Sequence, residues 1–336
     1  MARRYGIAIL VILLSVGLLS VQGAAGASKS SKSSKSQTAH KKKSRVKVVR
    51  APQKLVIRSA CAWVEDQQTG ELFVQKRATA VLPIASITKL MTAMVILDAQ
   101  LDLQELLTIE PEDVDSLRHS RSRLRVGTSI TRGDALLLAL MASENRSAHA
   151  LGRTYPGGID AFVAAMNAKA QSLGLTETRF EDPAGLSSGN VSTARELARM
   201  VDAAYQYSLI REFTTREDTA VQLGYRTLKF RNSNRLVRSP RWQIGLSKTG
   251  FIDEAGRCLV MQAQVAQRPV LIVLLDAQGK LTRFGDANRI KRWMEGTPTR
   301  QKQKGPVAMT GPSNNAYPAL TPFPRNTPDR MLNLSS

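Results

Sequence analysis

The chain has little of several things that would narrow its chemistry. It carries two cysteines, Cys61 and Cys258, and three histidines, His40, His119 and His149, in 336 residues. The histidines have no ligand spacing and the cysteines form no cluster, so neither a metal site nor a disulfide framework is expected, and no cofactor. Aromatic residues make up 5% of the chain, too few for the stacking platforms of a single-strand nucleic-acid binder. Glycine-rich phosphate loops are absent. Acidic residues are missing from residues 29–50, where nine positive charges stand.

What is present begins with a 43% apolar composition, enough for a sizeable core. The formal charge of +21 is concentrated in the appendages, and the body mixes acids with bases. That distribution suggests attraction to an anionic surface and argues against a nucleic-acid groove. Arg3 and Arg4 precede an apolar segment, residues 7–21, followed by Gly23-Ala24-Ala25-Gly26-Ala27. This is the layout of a secretory signal peptide with cleavage after Ala27, and the segment is shorter than the roughly 20 residues of a spanning helix. No cysteine follows it to carry a lipid, so residues 1–27 are expected to direct export to the periplasm. Residues 28–52, rich in Ser and Lys, cannot bury apolar area and are expected to form a disordered cationic tether.

Residues 54–65 and 71–75 read as the strands of a hairpin turned by Gln67-Gln68-Thr69-Gly70. An almost wholly apolar run, Leu90-Met91-Thr92-Ala93-Met94-Val95-Ile96-Leu97, predicts a helix buried at the centre of a domain and beginning near Ser86. A second buried helix is expected over residues 134–142, ending in Ser143-Glu144-Asn145. Residues 159–172 have helical spacing, Asp182-Pro183-Ala184-Gly185 marks a loop, and Ser192 is the expected N-cap of a further helix. From Gln222 onward the apolar runs shorten, and Val270-Leu271-Ile272-Val273-Leu274-Leu275 reads as a central strand buried on both faces. Residues 286–294 predict a last helix carrying Ile290, Trp293 and Met294. Strands at both ends with helices between them predict an α+β domain over residues 53–296, and residues 297–336 are expected to be a disordered tail.

Three polar clusters stand at element boundaries: Ser86-Ile87-Thr88-Lys89, Ser143-Glu144-Asn145 and Lys248-Thr249-Gly250. Residues three apart share a helix face, so Lys89 could take the Ser86 proton and the helix N-terminus would favour the developing charge. A cation at Lys248, together with burial, would depress the Lys89 pKa. Singly each cluster could be a helix cap or a solvated lysine on an edge strand; together they describe an acyl-transfer site.

In order and separation the clusters resemble the three motifs of the penicillin-binding protein and β-lactamase superfamily. Asn190-Val191-Ser192-Thr193-Ala194-Arg195-Glu196-Leu197-Ala198, Leu246-Ser247-Lys248-Thr249-Gly250-Phe251 and Asp253-Glu254-Ala255-Gly256-Arg257-Cys258-Leu259-Val260-Met261 are similar to the low-molecular-mass D-alanyl-D-alanine peptidases. More narrowly, they resemble the penicillin-binding protein 7 type, the D-alanyl-D-alanine endopeptidases. The resemblance implies a penicillin-binding protein/β-lactamase-like transpeptidase fold, with an antiparallel sheet formed from both chain ends and an inserted helical region. It implies Ser86 as nucleophile, Lys89 as base and Ser143 as a relay bridging Lys89 and Lys248. Asn145 would position the substrate peptide, Lys248 and Thr249 would hold its carboxylate, and Gly250 would let the strand approach. The backbone N–H groups of Ser86 and Phe251 would form the oxyanion site. The middle position of the second motif varies in the superfamily, and Glu144 is given no role.

The implied activity is penicillin-sensitive hydrolysis of D-alanyl-meso-diaminopimelyl cross-links in peptidoglycan. Its partners would be cross-linked wall peptides and β-lactam antibiotics, with an anionic wall or membrane surface engaged through residues 28–50 and no nucleic acid. No element resembling Glu-x-x-Leu-Asn lies between Asn145 and Lys248 to hold a deacylating water, which argues against a β-lactamase. A D-alanyl-D-alanine carboxypeptidase and a non-catalytic wall-binding or penicillin-sensing module remain the alternatives. By the family's sheet order the strands of Cys61 and Cys258 lie two strand spacings apart, about 9–10 Å and beyond disulfide reach, so two buried thiols are expected.

Overall fold

The computed structural model describes residues 55–223 and 226–296. The expected signal segment, the basic tether and the C-terminal tail lie outside the described residues. Among the described residues no helix is long and apolar enough to cross a membrane.

Five strands form the main sheet: β1 (Cys61–Asp66), β2 (Leu72–Lys76), β3 (Gln243–Ile252), β4 (Gly256–Val265) and β5 (Arg268–Ala277). Their order is β2-β1-β5-β4-β3, with every pairing antiparallel. The expected hairpin is β1–β2, and the all-apolar run of residues 270–275 lies in the central strand. Its alternation serves two cores at once, because successive side chains point to opposite faces. Leu271, Val273 and Leu275 join the helical side, while Val270, Ile272 and Leu274 join the other. At about 1.5–3 kcal/mol for each fully buried aliphatic side chain, this strand is a major source of cohesion.

Seven α-helices are described: α1 (Lys89–Asp98), α2 (Arg132–Leu137), α3 (Asn145–Arg153), α4 (Gly158–Ser172), α5 (Ala194–Tyr205), α6 (Ser208–Thr215) and α7 (Thr282–Gly296). α1 is buried from Lys89 through Ile96, as its lack of a polar face requires. α7 packs Phe284, Ala287, Ile290 and Met294 against the opposite face of the sheet. Its Asp286 accepts from the backbone N–H of Arg58 and Ser59 and from the Ser59 hydroxyl, tying the two ends of the domain together.

Two local features depart from expectation. The N-cap of α5 is Thr193, whose hydroxyl accepts from the N–H of Glu196 at 3.1 Å; Ser192 instead sits in a short strand paired with Leu82–Pro83. Glu196 therefore has capping-box spacing, but its carboxylate is engaged by Glu177 N–H and the Thr178 hydroxyl. The second expected helix changes type, from α2 to a π-helical turn over Leu138–Ala142.

Cys61 and Cys258 are free and buried, on β1 and β4 with β5 between them. The sheet order supplies the separation that keeps them unbridged.

Candidate active site

Ser86 lies within a 3-10 turn, Ala85–Thr88, and α1 begins at Lys89. A 3-10 turn places residues three apart directly above one another, which aligns the serine with the lysine more closely than an α-turn would. Lys89 Nζ lies 2.8 Å from Ser86 Oγ. Ala85, just before the serine, holds φ 50°, and its carbonyl accepts from the Thr88 hydroxyl.

Lys89 is 1% exposed and has two further partners, Asn145 Oδ1 at 2.7 Å and the Ala184 carbonyl at 2.5 Å. Burial lowers its pKa to about 8, against the opposing pull of the Asp182, Glu144 and Asp115 carboxylates. Of the two expected causes, burial and a cation at Lys248, burial is the one that lowers it. Lys248, also 1% exposed, is itself pushed well below its ordinary value by burial and by the charges of Lys89 and Arg283. Two amines this deeply buried and this close cannot both hold a proton at low cost.

The second cluster is shaped by the π-turn. Backbone N–H groups of Ser143 and Glu144 both donate to Leu138 O, and Ser143 adopts φ 62°, ψ 36°. That left-handed residue turns its hydroxyl to Lys248 Nζ, which donates to it at 2.7 Å. On the Lys248 side the expected Ser143 bridge is present; on the Lys89 side the bond goes to Asn145. The resemblance places Asn145 on the substrate peptide; here its carbonyl accepts from Lys89 and its amide nitrogen donates to Ser120 Oγ. Glu144 caps α3, accepting from Arg146 N–H, and bonds the Ser122 hydroxyl.

The third cluster lies on β3, at the edge of the sheet. A Cβ at Gly250 would stand 2.9 Å from Ile84 O and 3.2 Å from Ser86 N, so only glycine lets this edge approach the serine turn. Thr249 donates to Ser233 Oγ at 2.8 Å, and Phe251 is exposed, with the Arg257 guanidinium over its ring. The structure thus brings Ser86, Lys89, Ser143, Asn145, Lys248, Thr249, Gly250 and Phe251 to one cleft.

Several contributors went unread in the sequence. Asp182 accepts from the N–H groups of Ala184, Gly185, Leu186 and Ser187, fixing the loop whose Ala184 carbonyl reaches Lys89. Asn190 pins the same loop to the serine turn, donating to Thr88 Oγ1 and Asp182 O. Arg283, buried on α7, donates to Gly250 O at 3.3 Å. The signal for Asp182 was available, since Asp before Pro-Ala-Gly is a turn former whose carboxylate caps the following amides.

A family model described as D-alanyl-D-alanine carboxypeptidase matches residues 46–279. The D-alanyl-D-alanine endopeptidase of Pseudomonas aeruginosa is 50% identical over 73% of this chain and 79% of its own length. That of Escherichia coli is 49% identical over 71% and 78% respectively. A crystal structure of a Streptomyces DD-transpeptidase superposes with a TM-score of 0.67 at 27% identity, covering 72% of this chain and 98% of that one. A penicillin-binding protein of Listeria monocytogenes in its cefotaxime-bound form does so with a TM-score of 0.64 at 27% identity, over the same shares. On these matches and this cleft, the chain belongs to the D-alanyl-D-alanine carboxypeptidase family of serine peptidases.

Proposed function

We propose that this protein is an exported serine D,D-endopeptidase that hydrolyses D-alanyl-meso-diaminopimelyl cross-links of peptidoglycan through an acyl-enzyme at Ser86. The observation that carries the reading is the Ser86–Lys89 contact at 2.8 Å with the Lys89 pKa lowered to about 8. A neutral amine has two N–H bonds and one lone pair. Asn145 Oδ1 and Ala184 O take the two N–H bonds, so the lone pair faces the Ser86 hydroxyl. Ser86 Oγ attacks the D-alanyl carbonyl carbon as its proton passes to Lys89, and the resulting oxyanion lies between the N–H groups of Ser86 and Phe251. The carbon–nitrogen bond then breaks. The leaving amine takes a proton relayed through Lys248 and Ser143, whose side chains are 2.7 Å apart. Water then attacks the Ser86 ester, giving one proton through Ser143 back to Lys248, and Ser86 Oγ recovers the proton held by Lys89 as the acid leaves.

Lys248 and Thr249 hold the substrate carboxylate in this scheme. An arriving carboxylate supplies the negative charge that buried Lys248 lacks and restores its proton. A β-lactam presents the same carboxylate and carbonyl and acylates Ser86. The relatives named endopeptidase support cross-link cleavage, and the carboxypeptidase description of the matching family supports a second reading, removal of terminal D-alanine from uncross-linked pentapeptides.

We further read residues 1–27 as an export signal to the periplasm and residues 28–52 as a cationic tether to an anionic wall or membrane surface. Residues 53–296 are then the catalytic domain, with residues 297–336 a tail. Wild type and Ser86→Ala incubated with defined cross-linked and uncross-linked muropeptides, and with labelled penicillin, test the proposal. Dimer splitting and labelling lost together in Ser86→Ala support it. Splitting retained by Ser86→Ala would refute it, and release of terminal D-alanine alone would favour the carboxypeptidase. Function lost on deleting residues 28–50 but kept in Ser86→Ala would point to a wall-binding module.

A further inference from the structure

Arg118 and Glu254 come from distant segments of the chain and meet beside the active-site residues. The Arg118 guanidinium reaches the Glu254 carboxylate through both terminal nitrogens, at 2.8 and 2.9 Å, while its Nε donates to the Leu186 carbonyl at 2.6 Å. Each anchor belongs to an active-site wall. The Arg118 N–H is held by Asp115 in the loop that sends Ser120 to Asn145. Leu186 follows the Ala184 carbonyl that holds Lys89. Glu254 lies in the turn just after β3, the strand of Lys248, Thr249 and Gly250.

Both partners are partly open to water, with 24% and 48% side-chain exposure. An exposed pair of this kind contributes little to stability and is cheap to open. Its place along the groove gives it an address. β3 is an edge strand, and a peptide substrate would lie along its free edge. The carboxylate end belongs at Lys248 and Thr249 and the scissile carbonyl at Phe251, so the acyl side of the substrate runs on toward residues 252–254. The strand continues one residue beyond Phe251, and Glu254 stands in the turn that follows it, within reach of a long side chain on the residue before the scissile D-alanine.

We propose that Arg118 and Glu254 are specificity-determining residues that open to receive a side chain ending in an α-amino-acid group, Glu254 binding its ammonium and Arg118 its carboxylate. The inference rests on the D,D-peptidase reading above and deepens it by naming the feature of the acyl donor that is selected. Paired as they are, the two charges neutralise each other. A zwitterionic terminus exchanges that one pair for two charge-assisted contacts, whereas a neutral or singly charged terminus leaves one protein charge without a partner.

The test uses three acyl-D-alanyl-D-alanine peptides that differ only at that side-chain terminus: free, N-acetylated, or carboxyl-amidated. Wild type is expected to prefer the free terminus about tenfold in kcat/KM over either derivative. Glu254→Gln should abolish the preference over the N-acetylated peptide and keep the preference over the amidated one. Arg118→Lys, which retains a cation but loses the fork, should weaken chiefly the second preference. Thermal unfolding of each variant controls for folding. Equal turnover of the three peptides by wild type, or equal loss on all three in Glu254→Gln, overturns the inference while leaving the peptidase reading intact. Failure of wild type to cleave any of them removes the parent reading and the inference with it.

Discussion

The α-carbon of Gly185, at φ 77°, is pressed against the carbonyl of Ala85, the residue that leads into the nucleophile turn. A Cβ there would overlap that carbonyl and stand 2.8 Å from Ser86 N. The three nearest atoms it would meet are all backbone, so they cannot yield by a rotamer change. Gly185→Ala is therefore expected to displace Ser86 and to cost about 2–4 kcal/mol, from the left-handed conformation and the overpacking together. Urea unfolding and the rate of labelling by penicillin check the two consequences. Wild-type labelling in this variant would show that the loop does not hold the turn.

Acylation should depend on pH through Lys89. The reaction needs the neutral amine, and the Lys89 pKa is lowered from 10.5 to about 8. The labelling rate of Ser86 should rise with pH below about 8 and level off above it. The same shift links to stability: between about 8 and 10.5 the unfolded chain binds more protons than the folded one, so stability contributed by this residue rises with pH across that window. Lys89→Met should lose both dependences, read from labelling rates and from unfolding midpoints in a pH series.

Asp182 offers a separate handle on the same base. Its charge raises the Lys89 pKa, so replacing the carboxylate by an amide should move the midpoint of the labelling profile to lower pH. Asp182→Asn also turns an NH2 group toward backbone donors that now have an acceptor, including Ser187 N–H at 2.8 Å, and should cost about 1–3 kcal/mol. An upward shift of the profile would contradict the assignment of Asp182 as a charge that supports the protonated amine.

The two thiols give a prediction independent of catalysis. Cys258 is buried and its pKa is pushed up to about 11 by desolvation, and burial also raises that of Cys61. Native protein at neutral pH should resist thiol reagents, because the thiolate is the reactive form. Two thiols per chain should titrate after denaturation without reductant. Finding none would mean a bridge that the sheet order forbids.

Much of this site was legible in the sequence because its chemistry sits in short motifs. Ser86 and Lys89 are three apart on a segment whose apolar run fixes where it must lie, and Ser143 falls at the end of a run equally hard to mistake, whereas Lys248 lies inside β3 and not at the element boundary expected of it. What could not be read is contact made across the fold. The Ala184 carbonyl that accepts a hydrogen bond from Lys89 is 95 residues away, and nothing in an alanine marks its backbone as a partner. The change from α2 to a π-turn was hidden for a similar reason. An inserted residue in an apolar run leaves the hydrophobic pattern almost unchanged, yet it sets the left-handed geometry of Ser143. Burial as the main cause of the lowered Lys89 pKa follows from packing on every side of α1, which composition suggested but could not measure against the nearby carboxylates.

The clasp between Asp286 and Ser59 spans 227 residues, and β5 sits at the middle of the sheet although it is the last strand made. A chain made from its N-terminus therefore presents Ser86 long before the strand carrying Lys248, and the strand that joins the two edges is made last of all. The order of synthesis thus keeps the nucleophile unarmed until the whole domain has been made.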